Sequence, residues 1–336
     1  MVVRCSIPAP ESRRLSWGAA LYVASALALF PSPQCWGENL AVEVLRLPPL
    51  RIDGRPARAH TQGLELIGGK YLVTARREDV HPKQALLLRT DAAATNWDVW
   101  DITPRDASGA PTALDHPGGM QSDGTRLWIP VAESRQHGPA VIRAFLLSDL
   151  QPGRPLKPVL EFPVNDHIGS IAVSPDPGLL FGANWETELV YVWDLTGHLQ
   201  RTLKDGELEA RGLGAVPGLA GRAGIAVQDS KVIGDRFYAS GLFRSPQWEP
   251  GAPASRLCWF ERFLEPDFNC RTVTLPRQGG IELAREAMAV SGSLVYFLPG
   301  DLGTSNRLFR VALPDLAKAS IPGPPPTTTS PSAGRR

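Results

Sequence analysis

The chain has 336 residues, with 35 Lys and Arg against 34 Asp and Glu, a net charge of +1 and 21% charged residues. That balance excludes nucleic acid as a main partner, because phosphate binding needs clustered positive charge. Gly and Pro, 32 of each, punctuate the chain without making it low-complexity, and 4 Cys are too few for a disulfide scaffold.

Residues 1–40 read as an export segment. Arg13 and Arg14 precede the apolar run Trp17–Phe30, which is too short for a comfortable membrane span, and Cys35-Trp36-Gly37 offers an imperfect cleavage triplet. Ser12-Arg13-Arg14-Leu15 also half-matches a twin-arginine signal. The expected location is periplasmic or secreted, with membrane attachment only if the segment stays uncleaved. AVEVLRL (41–47) follows and has a strand pattern.

Five similar segments come next. They are TQGLELIGGKYLVTA from Thr61, PGGMQSDGTRLWIPVA from Pro117, IGSIAVSPDPGLLFGANW from Ile168, RAGIAVQDSKVIGDRFYASG from Arg222 and REAMAVSGSLVYFLPG from Arg285. Each pairs a strand of small and aliphatic residues with an aromatic-rich strand across a Gly/Asp turn, and repetition of this kind signals a ring or solenoid. Two further strand-like runs complete each of the first four units: 85–90 and 97–102, 141–147 and 158–164, 189–195 and 199–203, and 256–263 and 270–275. The fifth unit supplies only RLFRVAL (307–313), so AVEVLRL is the natural donor of its fourth strand. The expected fold is all-β: a five-bladed β-propeller over residues 41–317, closed by an N-terminal strand, with a six-bladed ring as the alternative. Cys258 and Cys270 flank a turn between neighbouring strands and are expected either as a cross-strand disulfide or as two buried thiols. Residues 318–336, rich in Pro, Thr and Ser, are expected to be a disordered tail.

Aligning the units on their first strands puts His60, His116, His167, Gly221 and Ala284 in one column, although the chain has only 6 His. Equivalent positions in a ring converge on its axis. Three imidazoles at a channel mouth suit a divalent metal with open positions for water. Glu286 and Asp229 are then candidate catalytic carboxylates. Gln62, Arg222, Arg285, Glu133, Trp185 and Glu186 are candidates for binding a small polar or anionic molecule. Glu78, Glu133, Glu186 and Asp301 follow the second strands at matching places. The alternative reading of the histidine column is a repeated device that satisfies a neighbouring backbone carbonyl in each blade.

HTQGLELIGGKYLV, DHPGGMQSDGTRLWIPVAE and DHIGSIAVSPDPGLLFGANW together resemble an exported propeller family catalogued only as a domain of unknown function. The resemblance implies a propeller and an exported location, with no established activity. Thr61-Gln62-Gly63-Leu64 is similar to the TQGL stretch of glutamine cyclotransferases, but LVTARRED stands where that family has a Glu-Ser-Thr-Gly run, so that activity is not carried over. The functional expectation is a monomeric exported propeller. It acts as a metal-assisted hydrolase or lyase on a small molecule, or it binds a ligand or protein without chemistry.

Overall fold

A computed structural model describes residues 40–313 except 92, 215–223, 245–251, 253 and 266–268. Residues 1–39 of the expected export segment, Arg222 and residues 318–336 lie outside the described residues. The protein is a five-bladed β-propeller. The first blade is Ala59–Ile67, Lys70–Arg77, Gln84–Asp91 and Asp98–Asp101. The third is Ile168–Ser174, Leu179–Asn184, Leu189–Asp194 and Leu199–Lys204, and the fourth is Gly224–Ile233, Arg236–Arg244, Ser255–Glu261 and Asn269–Thr274. In the fifth, Ala287–Ser291, Leu294–Leu298 and Arg307–Ala312 are completed by Val42–Arg46, which pairs antiparallel with Arg307–Ala312. A short hairpin, Arg51–Ile52 with Arg55–Pro56, lies between the closing strand and the first blade.

The second blade departs from the expected pattern. Its innermost strand is broken into His116–Pro117 and Gln121–Ser122, both pairing with Arg126–Ala132, and Ala140–Leu146 and Leu160–Val164 complete the blade. The break falls at Gly118-Gly119, where the backbone runs close to its neighbours. A Cβ on Gly118 would stand 2.3 Å from the Gly169 carbonyl oxygen, and one on Gly119 would stand 2.5 Å from Asp229 Oδ1. Glycine is the residue that permits such an approach. In the fourth blade, Cys258 stands opposite Thr272 and Cys270 opposite Phe260, so the register staggers the two cysteines.

Continuous apolar runs are explained by burial on both faces of a blade. Successive strand residues point to opposite sides, so Leu86 and Leu88 pack with the fifth blade while Leu87 packs with the second. Each of the five contacts between neighbouring blades has its own apolar cluster, the one between fifth and first included. Trp97, Trp100, Trp128 and Trp193 are all buried in these clusters. Each such large side chain contributes about 1.5–3 kcal/mol on burial.

The axis is filled by a polar lattice. Asp229 is fully buried, and its Oδ1 accepts from Lys231 Nζ at 2.6 Å and Ser230 N at 2.8 Å. Its Oδ2 accepts from Leu64 N of the first blade at 3.2 Å and Met288 N of the fifth at 2.9 Å. Lys231 Nζ also donates to the Met120 carbonyl at 2.8 Å. Gln121 Oε1 accepts from Val173 N and Val232 N, at 2.9 and 2.8 Å. All five innermost strands are thereby joined. This corrects the expectation for Asp229: it sits inside the ring with both carboxylate oxygens engaged, rather than at the mouth.

Candidate functional site

The first strands of the first three blades begin at one end of the axis, and this brings their histidines together. The His60 and His116 ring centroids are 6.1 Å apart, and those of His116 and His167 are 5.4 Å apart. Trp185, in the turn after the third blade's second strand, sets its ring edge-on to His167 at 4.6 Å.

The three imidazoles differ in surroundings. His60 Nδ1 lies 2.8 Å from Asp301 Oδ1, and this hydrogen bond raises the His60 pKa above its usual value against the opposing effect of burial. The same bond lowers the pKa of Asp301. His167 Nδ1 donates to the carbonyls of Glu133 at 2.7 Å and Arg135 at 3.2 Å. Carbonyls only accept, so the proton is on Nδ1 and Nε2 is left as an acceptor. Burial lowers the His167 pKa. His116 Nδ1 is buried without a hydrogen-bond partner, and burial holds this ring well below the usual histidine range.

Glu286 forms the floor beside His60. It is 6% exposed, and burial pushes its pKa up to about 7. Its Oε2 is 4.0 Å from His60 Nε2 and accepts from Gln62 Nε2 at 3.5 Å. Its Oε1 is 3.3 Å from Nε of Arg285, whose side chain is 61% exposed. Glu133 pairs with Arg135 and supplies its carbonyl to His167. Glu186 Oε1 meets Arg244 Nη2 at 2.8 Å, while its Oε2 is buried without a hydrogen-bond partner.

Of the candidate residues, His60, His116, His167, Gln62, Glu133, Trp185, Glu186, Arg285 and Glu286 therefore stand around one mouth. Two further groups join them. Asp301 is the member of the second-strand column expected from the sequence beside Glu78, Glu133 and Glu186. Arg76 stands directly across the strand pair from His60 and bonds Glu78 Oε1 at 2.6 Å and the Ser134 hydroxyl. Among the described residues, no group of three or more His, Cys, Asp or Glu side chains is arranged to hold a metal ion.

The opposite end of the first blade has two adjoining clefts of about 400 and 350 Å³. Four of their charged groups are paired with one another, Lys70 with Asp91 at 3.1 Å and Arg89 with Asp98 at 2.7 Å. The mouth, with its buried titratable groups, is the stronger candidate.

Fold and site together define a five-bladed propeller with a polar, titratable mouth. Residues 105–246 match a family of unknown function (DUF6454). No curated protein matches the chain. Among solved structures, a glycoside hydrolase of the GH130 family of mannoside phosphorylases is similar at 10% identity, over 81% of this chain and 94% of that one, with a TM-score of 0.47. A glycosyl hydrolase from Bacteroides ovatus is similar at 12% identity, over 77% and 85%, with a TM-score of 0.43. A luciferin-regenerating enzyme is similar at 11% identity, over 78% and 79%, with a TM-score of 0.41.

Proposed function

We propose that the mouth performs acid–base chemistry, as a hydrolase or lyase, on a small polar or anionic molecule. The observation that carries this reading is the Asp301–His60–Glu286 line. One imidazole stands between a carboxylate that fixes its Nδ1–H at 2.8 Å and a buried carboxyl 4.0 Å from its Nε2. His60 in its neutral form takes a proton, from water in a hydrolysis or from a substrate carbon in an elimination. Glu286 in its acid form delivers a proton to the departing oxygen as the bond to it breaks. Exposed Arg285 attracts an anionic group to the same place. In this proposal the chemistry takes place outside the cytoplasm, because residues 1–40 read as an export segment.

The working form has His60 neutral and Glu286 protonated. The acid limb of the pH profile follows the raised His60 and the alkaline limb follows Glu286 at about 7. The test is a panel of small lactones, esters and β-substituted acids, with Glu286→Gln and His60→Asn beside the parent protein. Loss of about 100-fold or more in either variant is expected. Activity unchanged by both substitutions rejects the reading. So does ligand binding with no turnover, which fits the second reading: a binding propeller. That reading is favoured by His167, whose ring ties two backbone carbonyls. Elemental analysis of the same preparation belongs to this test. A stoichiometric divalent ion, lost when His60, His116 and His167 are all changed to Ala, would replace His60 as base with a metal-activated water.

A further inference from the structure

The turn that presents Trp185 is held at a cost to its backbone. Glu186 and Thr187 both adopt left-handed conformations, with φ of 57° and 58°. Neither is glycine, and such geometry persists only where surrounding contacts over-determine it, commonly at ligand sites. Those contacts are present. Thr187 is fully buried, and its hydroxyl accepts from Val227 N of the fourth blade at 2.8 Å. Asn184 Oδ1 accepts from Leu189 N at 2.8 Å and closes the turn, and Trp185 N donates to the His167 carbonyl. The result is a half-buried indole fixed beside the histidine rings, with Gln62, Glu286, Asp301 and exposed Arg285 across the same mouth.

These groups share one kind of chemistry. Gln62, Glu286 and Asp301 are planar amide and carboxyl groups, which accept from or donate to hydroxyls in a fixed plane. An indole face covers apolar C–H surface and excludes water from it. Arg285 pairs through Nε with Glu286 Oε1 at 3.3 Å and keeps its exposed guanidinium edge for a carboxylate. We infer that the mouth takes a sugar ring bearing a carboxylate, laid against Trp185 with its hydroxyls toward Gln62, Glu286 and Asp301 and its carboxylate toward Arg285. This inference rests on the same mouth as the proposed function and names its ligand class. It does not require that the ligand be turned over.

The test is calorimetric binding with three probes: glucuronate, glucose, and cyclohexanecarboxylate, which has the ring and charge without hydroxyls. Glucuronate is expected to bind most tightly, with cyclohexanecarboxylate weaker by about tenfold or more. Trp185→Ala should weaken glucuronate by about tenfold, while Trp185→Phe keeps most of the affinity. Arg285→Gln should weaken glucuronate and leave glucose unchanged. Equal affinity for cyclohexanecarboxylate, binding indifferent to Trp185, or no measurable sugar binding overturns the inference. Trp185-dependent glucuronate binding without turnover upholds it while the catalytic reading fails. Turnover of simple esters without sugar binding does the reverse.

Discussion

Removing either member of the buried Asp229–Lys231 pair has unequal consequences. Lys231→Met strips the carboxylate of its cation but leaves three backbone N–H donors on it. Asp229→Ala orphans those three donors and the ammonium together. Breaking a buried ion pair costs about 3–5 kcal/mol. Urea denaturation is expected to place Asp229→Ala at the upper end of that range and Lys231→Met below it, and equal losses would contradict the role assigned to Asp229. This hub is also where residue-level reading of the sequence went astray. Asp229 lies within the small-residue first strand of the fourth unit, in RAGIAVQDSKV. The register, however, shifts between Val227 and Asp229, and a bulge of this kind re-aims the side chain, here into the axis. A one-residue irregularity leaves no mark in composition. By contrast, His60, His116 and His167 precede their irregularities, and their shared column was visible from repetition alone.

Among the strands, Gly118 at the break in the second blade and Gly169 in the first strand of the third blade provide a paired comparison. Gly118 has no room for a methyl group, since the nearest obstacle is backbone. Gly169, in the facing strand, would meet nothing closer than 3.8 Å. Gly118→Ala is expected to cost about 1–3 kcal/mol or more, and Gly169→Ala less than about 0.5 kcal/mol. Matched thermal melts of the two proteins check this, and similar losses would mean the break has another cause. The outer strands were legible because turns such as Asp123-Gly124 bracket apolar runs, and their observed limits fall within a residue or two of those expected. The broken strand was not legible. PGGMQS carries the small residues of an inner strand, and only the closeness of Gly169 and Asp229 shows why pairing lapses there. The strained turn at Glu186 was hidden for a similar reason, because its contacts come from the fourth blade.

For the whole molecule, stability should depend on pH with a definite sign. Burial raises Glu65 and Glu286 to about 7, and Glu65 Oε2 has no hydrogen-bond partner. The unfolded chain releases these protons near 4.5, so between the two values the folded ring holds more protons. Stability therefore falls as pH rises through this window. The lowered carboxylates Asp301, Asp123 and Glu282 act oppositely and lose their contribution as the solution becomes more acid. Buried His116 and His167 are lowered and also act oppositely, binding fewer protons folded than unfolded below about 6.5. Glu65 is therefore read by difference: the melting temperature of Glu65→Gln relative to the parent is expected to rise as pH goes from about 4.5 to about 7, and a difference that stays flat across that window would contradict the buried, proton-holding state of Glu65.

The strand Val42–Arg46 closes the ring by pairing with Arg307–Ala312, and Glu43 meets Arg310 across 267 positions of sequence. During synthesis the first strand made must wait, unpartnered, until the last has emerged. The outer edge of the fifth blade is open for the same interval. Long-range closure of this kind slows folding, because loop entropy is lost before any contact repays it. A circular permutant carrying Val42–Arg46 just after Ala312 turns the slowest contact into a neighbouring one. It should reach the native ring faster while unfolding at nearly the same denaturant concentration.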